Sequence, residues 1–316
     1  MLVYDYIEVI DMLINEVSKL TGLTKKAIEY YALQGLVAPA VLDNGYREYS
    51  EYDVGLLHKI CVLRKLDVST DEIRSILADK TNAALQVVSV RRELDFQRDA
   101  MKKAILEKLS SGKPYSEIRV DLKTVDKSKT ITEKLLDAFP GYYGRFICLH
   151  FARFLNEPIK TEMQQSAFDT MISFLDNIPP LDLPQDLEDY LIEGTEHIGT
   201  KQISEIIENT KKSIENPDEF LSDNKELLEQ DLAYKQSDEY KNSPAYKVME
   251  LMKEFNSTSG YNDVFIPAMK QLSNSYSEYY HQLEIANEKL IAKYPEIEKR
   301  RRFDKGNFRK HKIKDS

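Results

Sequence analysis

The sequence predicts a mainly α-helical chain with one small β-hairpin near its start. Three observations lead there. Only 11 glycines and 11 prolines occur in 316 residues, roughly 7% against an average near 12%, which favours long helices over glycine-built sheets and sandwiches. Residues 82–111 hold no Gly and no Pro at all. The strongest turn signal is Asn44-Gly45, the dipeptide of tight β-hairpins.

Composition narrows the class. Apolar residues are 42% and charged residues 31%, a soluble globular balance. The length suggests about two domains. No apolar run approaches about 18 residues, so no membrane span is expected. Met1 to Asp11 carries acidic residues and no Lys or Arg, unlike a signal peptide. Cys61 and Cys148 cannot make a disulfide framework or a cysteine metal cluster, and they suit a reducing, cytoplasmic setting.

Charge is unevenly spread. The total is −9. Residues 1–80 carry a net −4, residues 81–298 a net −12, and residues 299–316 a net +7. An acidic body thus ends in a basic tail running from Lys299-Arg300-Arg301-Arg302 to Lys314.

Taken in order, the first elements are short and well punctuated. Ile14, Val17 and Leu20 share one helical face. Gly22 breaks that helix and Thr24 caps the next, which runs from about Lys25 to Gln34 and stops at Gly35. Val37, Val41 and Leu42 before Asn44-Gly45, with Tyr46 and Tyr49 after it, suit two short strands. Ser50-Glu51-Tyr52-Asp53 reads as a capping box opening a third helix. Ser69-Thr70-Asp71-Glu72 opens a fourth, reaching about Leu77.

The Gly- and Pro-free stretch 82–111 carries a narrow seam. Val87, Val90, Leu94, Gln97, Met101, Ala104 and Lys108 follow alternating steps of three and four, flanked by Ile105 and Leu109. Such a seam needs a partner: a second helix in a coiled coil, or the chain's own core. Residues 113–130 are polar and read as a linker. From 131 to 298, amphipathic stretches of about 10–18 residues alternate with prolines, predicting an all-helical domain of seven or eight helices.

Helix, tight turn, helix and hairpin make a winged helix-turn-helix pattern. Residues 14–77 resemble the DNA-binding domain of MerR-type transcriptional regulators. The resemblance rests on Ile14 to Thr24, on Ile28, Tyr30-Tyr31 and Gly35-Leu36, and on the wing from Asn44 to Asp53. It implies a winged helix-turn-helix domain at 1–80 and an antiparallel coiled-coil dimerisation helix at 81–112, with Val87, Val90, Leu94, Gln97, Met101, Ala104 and Ile105 on its seam; the residues themselves suggest a linker at 113–130, a helical effector-binding domain at 131–298 that resembles no known ligand-binding family, and a basic tail at 299–316. It also implies a homodimer on an inverted repeat of double-stranded promoter DNA, acting on RNA polymerase indirectly through DNA shape. Thr24, Lys25, Lys26 and Tyr30 lie near the start of the second helix, where base edges are reached. Arg47 can hold phosphate from the wing. By resemblance, Tyr30, Tyr31, Tyr46 and Tyr49 contact the DNA backbone or brace against it. The chain departs from the family at Glu29, Ala27, Ala32 and Asp67, where Arg, Thr, Glu and Gly are usual. Glu29 sets a negative charge where a phosphate contact is expected. The basic tail either supplies the positive charge that the −4 segment lacks or is a solubilising end.

Chemistry is sparse. Residues 105–135 hold no Cys and no His, so the thiolate groups of soft-metal sensing are missing. The five histidines, at 58, 150, 197, 281 and 311, are scattered, and no catalytic or phosphate-loop motif occurs. No catalytic residue, metal or cofactor is expected, and the chain is read as no enzyme. Aromatic density stands out instead. Tyr142, Tyr143, Phe146, His150 and Phe154 form one stripe with Phe139 and Phe151 nearby, and Tyr276, Tyr279 and Tyr280 form another. The stripes are either plain core or a pocket for a flat or cationic organic effector. Two other functions fit the same helical domain: sequestering a toxic ligand, or docking a partner protein.

Overall fold

The computed structural model describes residues 12–139 and 141–297. The basic tail, 299–316, lies outside the described residues. The chain divides into two units, Met1–Val88 and Ser89–Ser316.

The first unit holds β1 (Met12–Leu13), α1 (Ile14–Thr21), α2 (Lys25–Leu33), β2 (Ala40–Val41), β3 (Arg47–Tyr49), α3 (Glu51–Lys65) and α4 (Thr70–Ala78). Local chemistry sets the boundaries. The Thr24 hydroxyl accepts the Ala27 N–H at 3.2 Å and caps α2. Ser50 and Asp53 exchange bonds at the start of α3, with Asp53 N–H to Ser50 Oγ at 3.2 Å and Ser50 N–H to Asp53 Oδ2 at 3.0 Å. Ser69 and Glu72 repeat the device at α4. A cap of this kind is worth about 1 kcal/mol. Asp53 also accepts the Ala38 N–H at 3.2 Å, which ties the approach to the hairpin onto α3.

The hairpin has one more strand than the sequence suggests. The sheet order is β1-β3-β2, antiparallel, with Met12 opposite Tyr49 and Ala40 opposite Glu48. A two-residue edge strand leaves no alternation to read. Gly45, at φ +83, takes the left-handed conformation that the wing turn requires. The core closes on Val17, Ile28, Tyr49, Leu57, Ile60 and Ile73, all fully buried.

α5 (Ala83–Ser110) begins at the end of this unit, where Val88 joins the core just described. From Ser89 on it belongs to the second unit, where it turns at 111–114 into α6 (Tyr115–Ala138). Lys108 pairs with Asp121 at 2.7 Å, and Arg91 with Asp137 at 3.7 Å. Those pairings fix an antiparallel hairpin. Ile105, Ile118 and Val125 bury together between the two helices, with Met101 and Leu109 against them. The linker read at 113–130 is therefore helix. Its polar look is deceptive: Thr124, Ser128 and Thr132 are buried. Thr124 and Thr132 donate to their own helix at the carbonyls of Val120 and Ser128, so these residues face the core at little cost.

The rest is helical: α7 (Gly141–Ala152), α8 (Glu162–Asn177), α9 (Gln185–Thr195), α10 (Thr200–Glu215), α11 (Pro217–Asp223), α12 (Lys225–Gln236), α13 (Asp238–Lys241), α14 (Pro244–Thr258), α15 (Ile266–Leu272) and α16 (Asn274–Lys293). A π-helical turn, Tyr261–Phe265, precedes α15. The expected seven or eight helices correspond to the longer ones; α11, α13 and α15 are short pieces set between them. Their core runs from Val90 and Leu94 of α5 through Ile131 and Leu135 to Phe151, Met171, Ile203 and Phe265.

The corner between α6 and α7 is tight. A Cβ on Gly144 would lie 1.3 Å from the Phe139 carbonyl oxygen, which no small shift relieves. Gly144→Ala should therefore destabilise the chain by about 3 kcal/mol or more, read as a drop in the urea midpoint.

Candidate nucleic-acid interface and aromatic body

The first unit sorts its candidate residues by exposure. Thr24, Lys25 and Lys26 are exposed at the N-terminal end of α2, where uncompensated N–H groups favour phosphate. Tyr30 is 46% exposed and Tyr46, on the wing, 63%. Arg47 is half-buried. Tyr31 and Tyr49 behave differently, at 7% and 0%. They are core residues, not surface contacts, because both belong to the apolar cluster built on Val17, Ile28 and Leu57. Their burial departs from the expected contact with, or bracing against, the DNA backbone. The Tyr30 ring sits edge-on to Tyr31, 5.6 Å away, so a core tyrosine positions an exposed one.

Burial raises the Tyr49 phenol above its ordinary pKa; the Arg47 charge opposes this, and Glu29 and Asp53 add to it. Arg47 and the exposed Glu29 thus act on the same ring, one from the wing and one from α2. The Tyr49 hydroxyl has no hydrogen-bond partner among the described residues. At Asp67, where the resembling family has glycine, the backbone sits at φ +58. That left-handed turn explains the glycine, and aspartate is among the few other residues that tolerate it.

In the second unit the two aromatic stripes meet. His150 on α7 lies 5.4 Å from Tyr279 on α16, and Phe154, just beyond α7, lies 5.2 Å from both Tyr276 and Tyr279. Phe146 stacks parallel to His150 at 6.3 Å. Phe139 meets Tyr143 at 5.7 Å. Tyr280 lies 6.1 Å from Tyr276 and carries the Lys270 ammonium 4.1 Å over its ring. Tyr142 lies 6.3 Å from Phe146. These are the spacings of packed aromatic pairs, so the pocket candidates form an interlocked cluster in this structure.

Electrostatics follow from the enclosure. Burial, with help from the Arg153 charge, pushes His150 down to about 4. Tyr143 is pushed up to about 12 by burial, against a hydrogen bond from Asn256. Burial pushes the Cys148 thiol up to about 12, which leaves it unreactive near neutral pH. Beside the cluster, a crevice of about 10 Å³, room for a single water, is lined by Lys127, Phe154, Glu157, Phe168 and Leu272 among others. Glu157 seals the start of α16. Its carboxylate accepts the N–H groups of Asn274 (3.2 Å) and Ser275 (2.9 Å) and the Ser273 hydroxyl (2.9 Å). Burial alone would raise its pKa, but these bonds outweigh that and hold the carboxyl below the usual range.

No group of three or more His, Cys, Asp or Glu is set to hold a metal among the described residues. Nor is any helix among them long and apolar enough to cross a membrane.

A capped two-helix turn carrying a three-stranded wing defines a winged helix-turn-helix protein. The chain belongs to the MerR family: residues 12–80 match the pattern described as MerR HTH family regulatory protein. Among curated relatives, it is 36% identical over 85 residues to the HTH-type transcriptional regulator ZntR homolog of Haemophilus influenzae, covering 27% of this chain and 63% of that one. It is 33% identical over 94 residues to the HTH-type transcriptional regulator CueR of Vibrio cholerae, covering 29% of this chain and 68% of that one. It is 36% identical over 86 residues to heavy metal-dependent transcription regulator 2 of Rhizobium meliloti, covering 26% and 58%. The chain spans 58–63% of the length of the first relatives it matches. No solved structure matches it.

Two outcomes are expected here. Tyr49→Phe removes a hydroxyl that has no partner, so it should leave stability unchanged or raise it by about 1 kcal/mol and leave DNA affinity unchanged; urea melts and a gel shift check both. His150 is held neutral in the folded chain but protonates near 6.5 when unfolded. It therefore supports folding above pH 6.5 and loses that contribution as pH falls toward 4, by up to about 3 kcal/mol. Wild type should lose that much more than His150→Phe across the same pH range.

Proposed function

We propose that the chain is a dimeric transcriptional regulator that binds an inverted repeat in promoter DNA. The observation that carries this reading is one surface of the first unit. There, exposed Lys25, Lys26 and Tyr30 start α2, while Tyr46 and Arg47 lie on the wing. α2 enters the major groove with its N-terminal residues toward the base edges. Lys25, Lys26 and Arg47 neutralise phosphate, and Tyr31 and Tyr49 hold the contacts from behind. Glu29 weakens the electrostatic term, so affinity depends on few cations.

The helical domain serves as the sensor. It acts on transcription by favouring one of two dimer shapes, and only to the extent that an effector distinguishes them. DNA deformation costing a few kcal/mol is offset by protein contacts, which is how a change of shape reaches RNA polymerase. The aromatic cluster supports a small organic effector of flat or cationic kind. The relative from Rhizobium meliloti is metal-dependent by its name. Here the Cys148 thiol is buried and its pKa is pushed up to about 12, unlike the thiolate that binds a soft metal.

A footprint on the DNA upstream of the chain's own coding sequence, at two salt concentrations, tests the reading. A protected inverted repeat is expected. Lys25→Ala with Lys26→Ala should lower the log–log salt slope by about 1.8, about 0.9 for each phosphate no longer neutralised. No protection at low salt by a folded dimer would overturn it.

A further inference from the structure

α12 leaves an apolar face uncovered. None of its residues is buried, and it packs against α11 and α13, its neighbours in sequence. Leu228 and Leu232, one turn apart, are half-buried. Leu227 and Tyr234 stay outside, 65% and 47% exposed. Two turns apart, they share a helix face and stand about 10.5 Å from each other along it. Phe220 of α11 is 37% exposed as well.

The same stretch is acidic. Residues 217–241 hold eight Asp and Glu against three Lys, a net −5. All three lysines are engaged: Lys225 with Glu229, Lys235 with Asp231 and Lys241 with Asp238. Glu219, Asp223, Glu226 and Glu239 form no ion pair among the described residues.

α16 delivers the chain to this face. Lys293, its last residue, donates to the Leu221 carbonyl of α11 at 2.8 Å, and Lys289 pairs with Asp218 at 2.5 Å. Ten residues on from Lys293 is Phe303, a reach of up to about 35 Å, while the whole of α12 is about 18 Å long. Residues 299–316 carry nine Lys and Arg against two Asp, with Phe303, Phe308 and Ile313 set among them. Five residues of chain span up to about 17 Å, enough for Phe303 and Phe308 to seat on Leu227 and Tyr234 together.

We propose that the basic stretch 299–316 docks on α11 and α12 of its own chain. Phe303 and Phe308 cover the Leu227–Tyr234 face, and the neighbouring arginines and lysines meet Glu219, Asp223 and Glu226. Opposite charge orients the contact, and burial of the rings holds it. The covalent link keeps the two at an effective concentration of about millimolar, so even a weak contact is occupied. Docking of this kind engages the tail's cations and withholds them from phosphate. It requires neither DNA nor a dimer, so it stands apart from the regulator reading.

The sequence has no tryptophan, so Phe303→Trp gives the full chain a single fluorescent reporter. At low salt the introduced indole should be shielded from acrylamide. Quenching should rise about threefold when Glu219→Lys, Asp223→Lys and Glu226→Lys are combined, and about as much in about 1 M salt, where screening acts within about 3 Å. The three side chains are exposed, so the fold is kept, which circular dichroism checks. Leu227→Ser should raise quenching with every charge in place. A carbodiimide should join tail lysines to Glu219, Asp223 or Glu226 within one copy when ordinary and nitrogen-15-labelled proteins are mixed. Quenching that is the same in the parent, in the reversed chain and at high salt overturns the proposal. So does an indole shielded only once duplex DNA is added, which would assign the tail to phosphate. Crosslinks that join mainly different copies overturn it too.

Discussion

The ring-to-ring contact of α7 with α16 is the constraint on which the helical unit depends. Phe151 lies 5.4 Å from Tyr276 and 5.1 Å from Phe265, so three separate stretches of chain meet on one side chain. Once those rings interlock, the neighbouring polar groups have little choice. His150 must stay neutral. The Arg153 guanidinium lies over the Phe154 and Tyr279 rings, 5.0 and 5.8 Å from their centres, and reaches Glu208 at 3.2 Å. Glu157 is placed to take the unpaired N–H groups that open α16. Arg145, only 2% exposed, spends one donor on the Ile198 carbonyl at 3.0 Å. Arg153, Glu157 and Arg145 are polar groups set against the aromatic packing, and each bonds a nearby partner.

The first unit works on the opposite principle. Its elements are short, and the caps at Thr24, Ser50 and Ser69 delimit three of its helices. Its core is small and apolar, with Tyr49 at the centre. Rigidity there comes from many local agreements, as expected of a scaffold that must present a few side chains accurately. Asp67 and Asn82 are exceptions, since each holds a left-handed backbone without the glycine that makes it easy.

Legibility in the sequence follows the range of the forces. Capping boxes and the Asn44-Gly45 turn are local, and they read correctly. The burial of Tyr31 and Tyr49 does not, because a wing tyrosine looks alike whether it faces solvent or core. α6 is hidden by Thr124, Ser128 and Thr132, which occupy core positions that count as polar; the Thr124 and Thr132 hydroxyls bond within the helix. Both aromatic stripes are visible, but their meeting is not, since more than 100 residues separate Phe154 from Tyr276. The seam on α5 is legible in its spacing. What covers it, the chain's own α6 and core, lies beyond any periodicity.

The length of α5 has a geometric meaning of its own. It is an uninterrupted helix of 28 residues, about 42 Å long at 1.5 Å per residue. One turn of B-DNA spans about 34–36 Å. A helix of α5's length exceeds one turn of the duplex, and in the proposed dimer adding or removing a single helical turn would change the half-site spacing that two copies span.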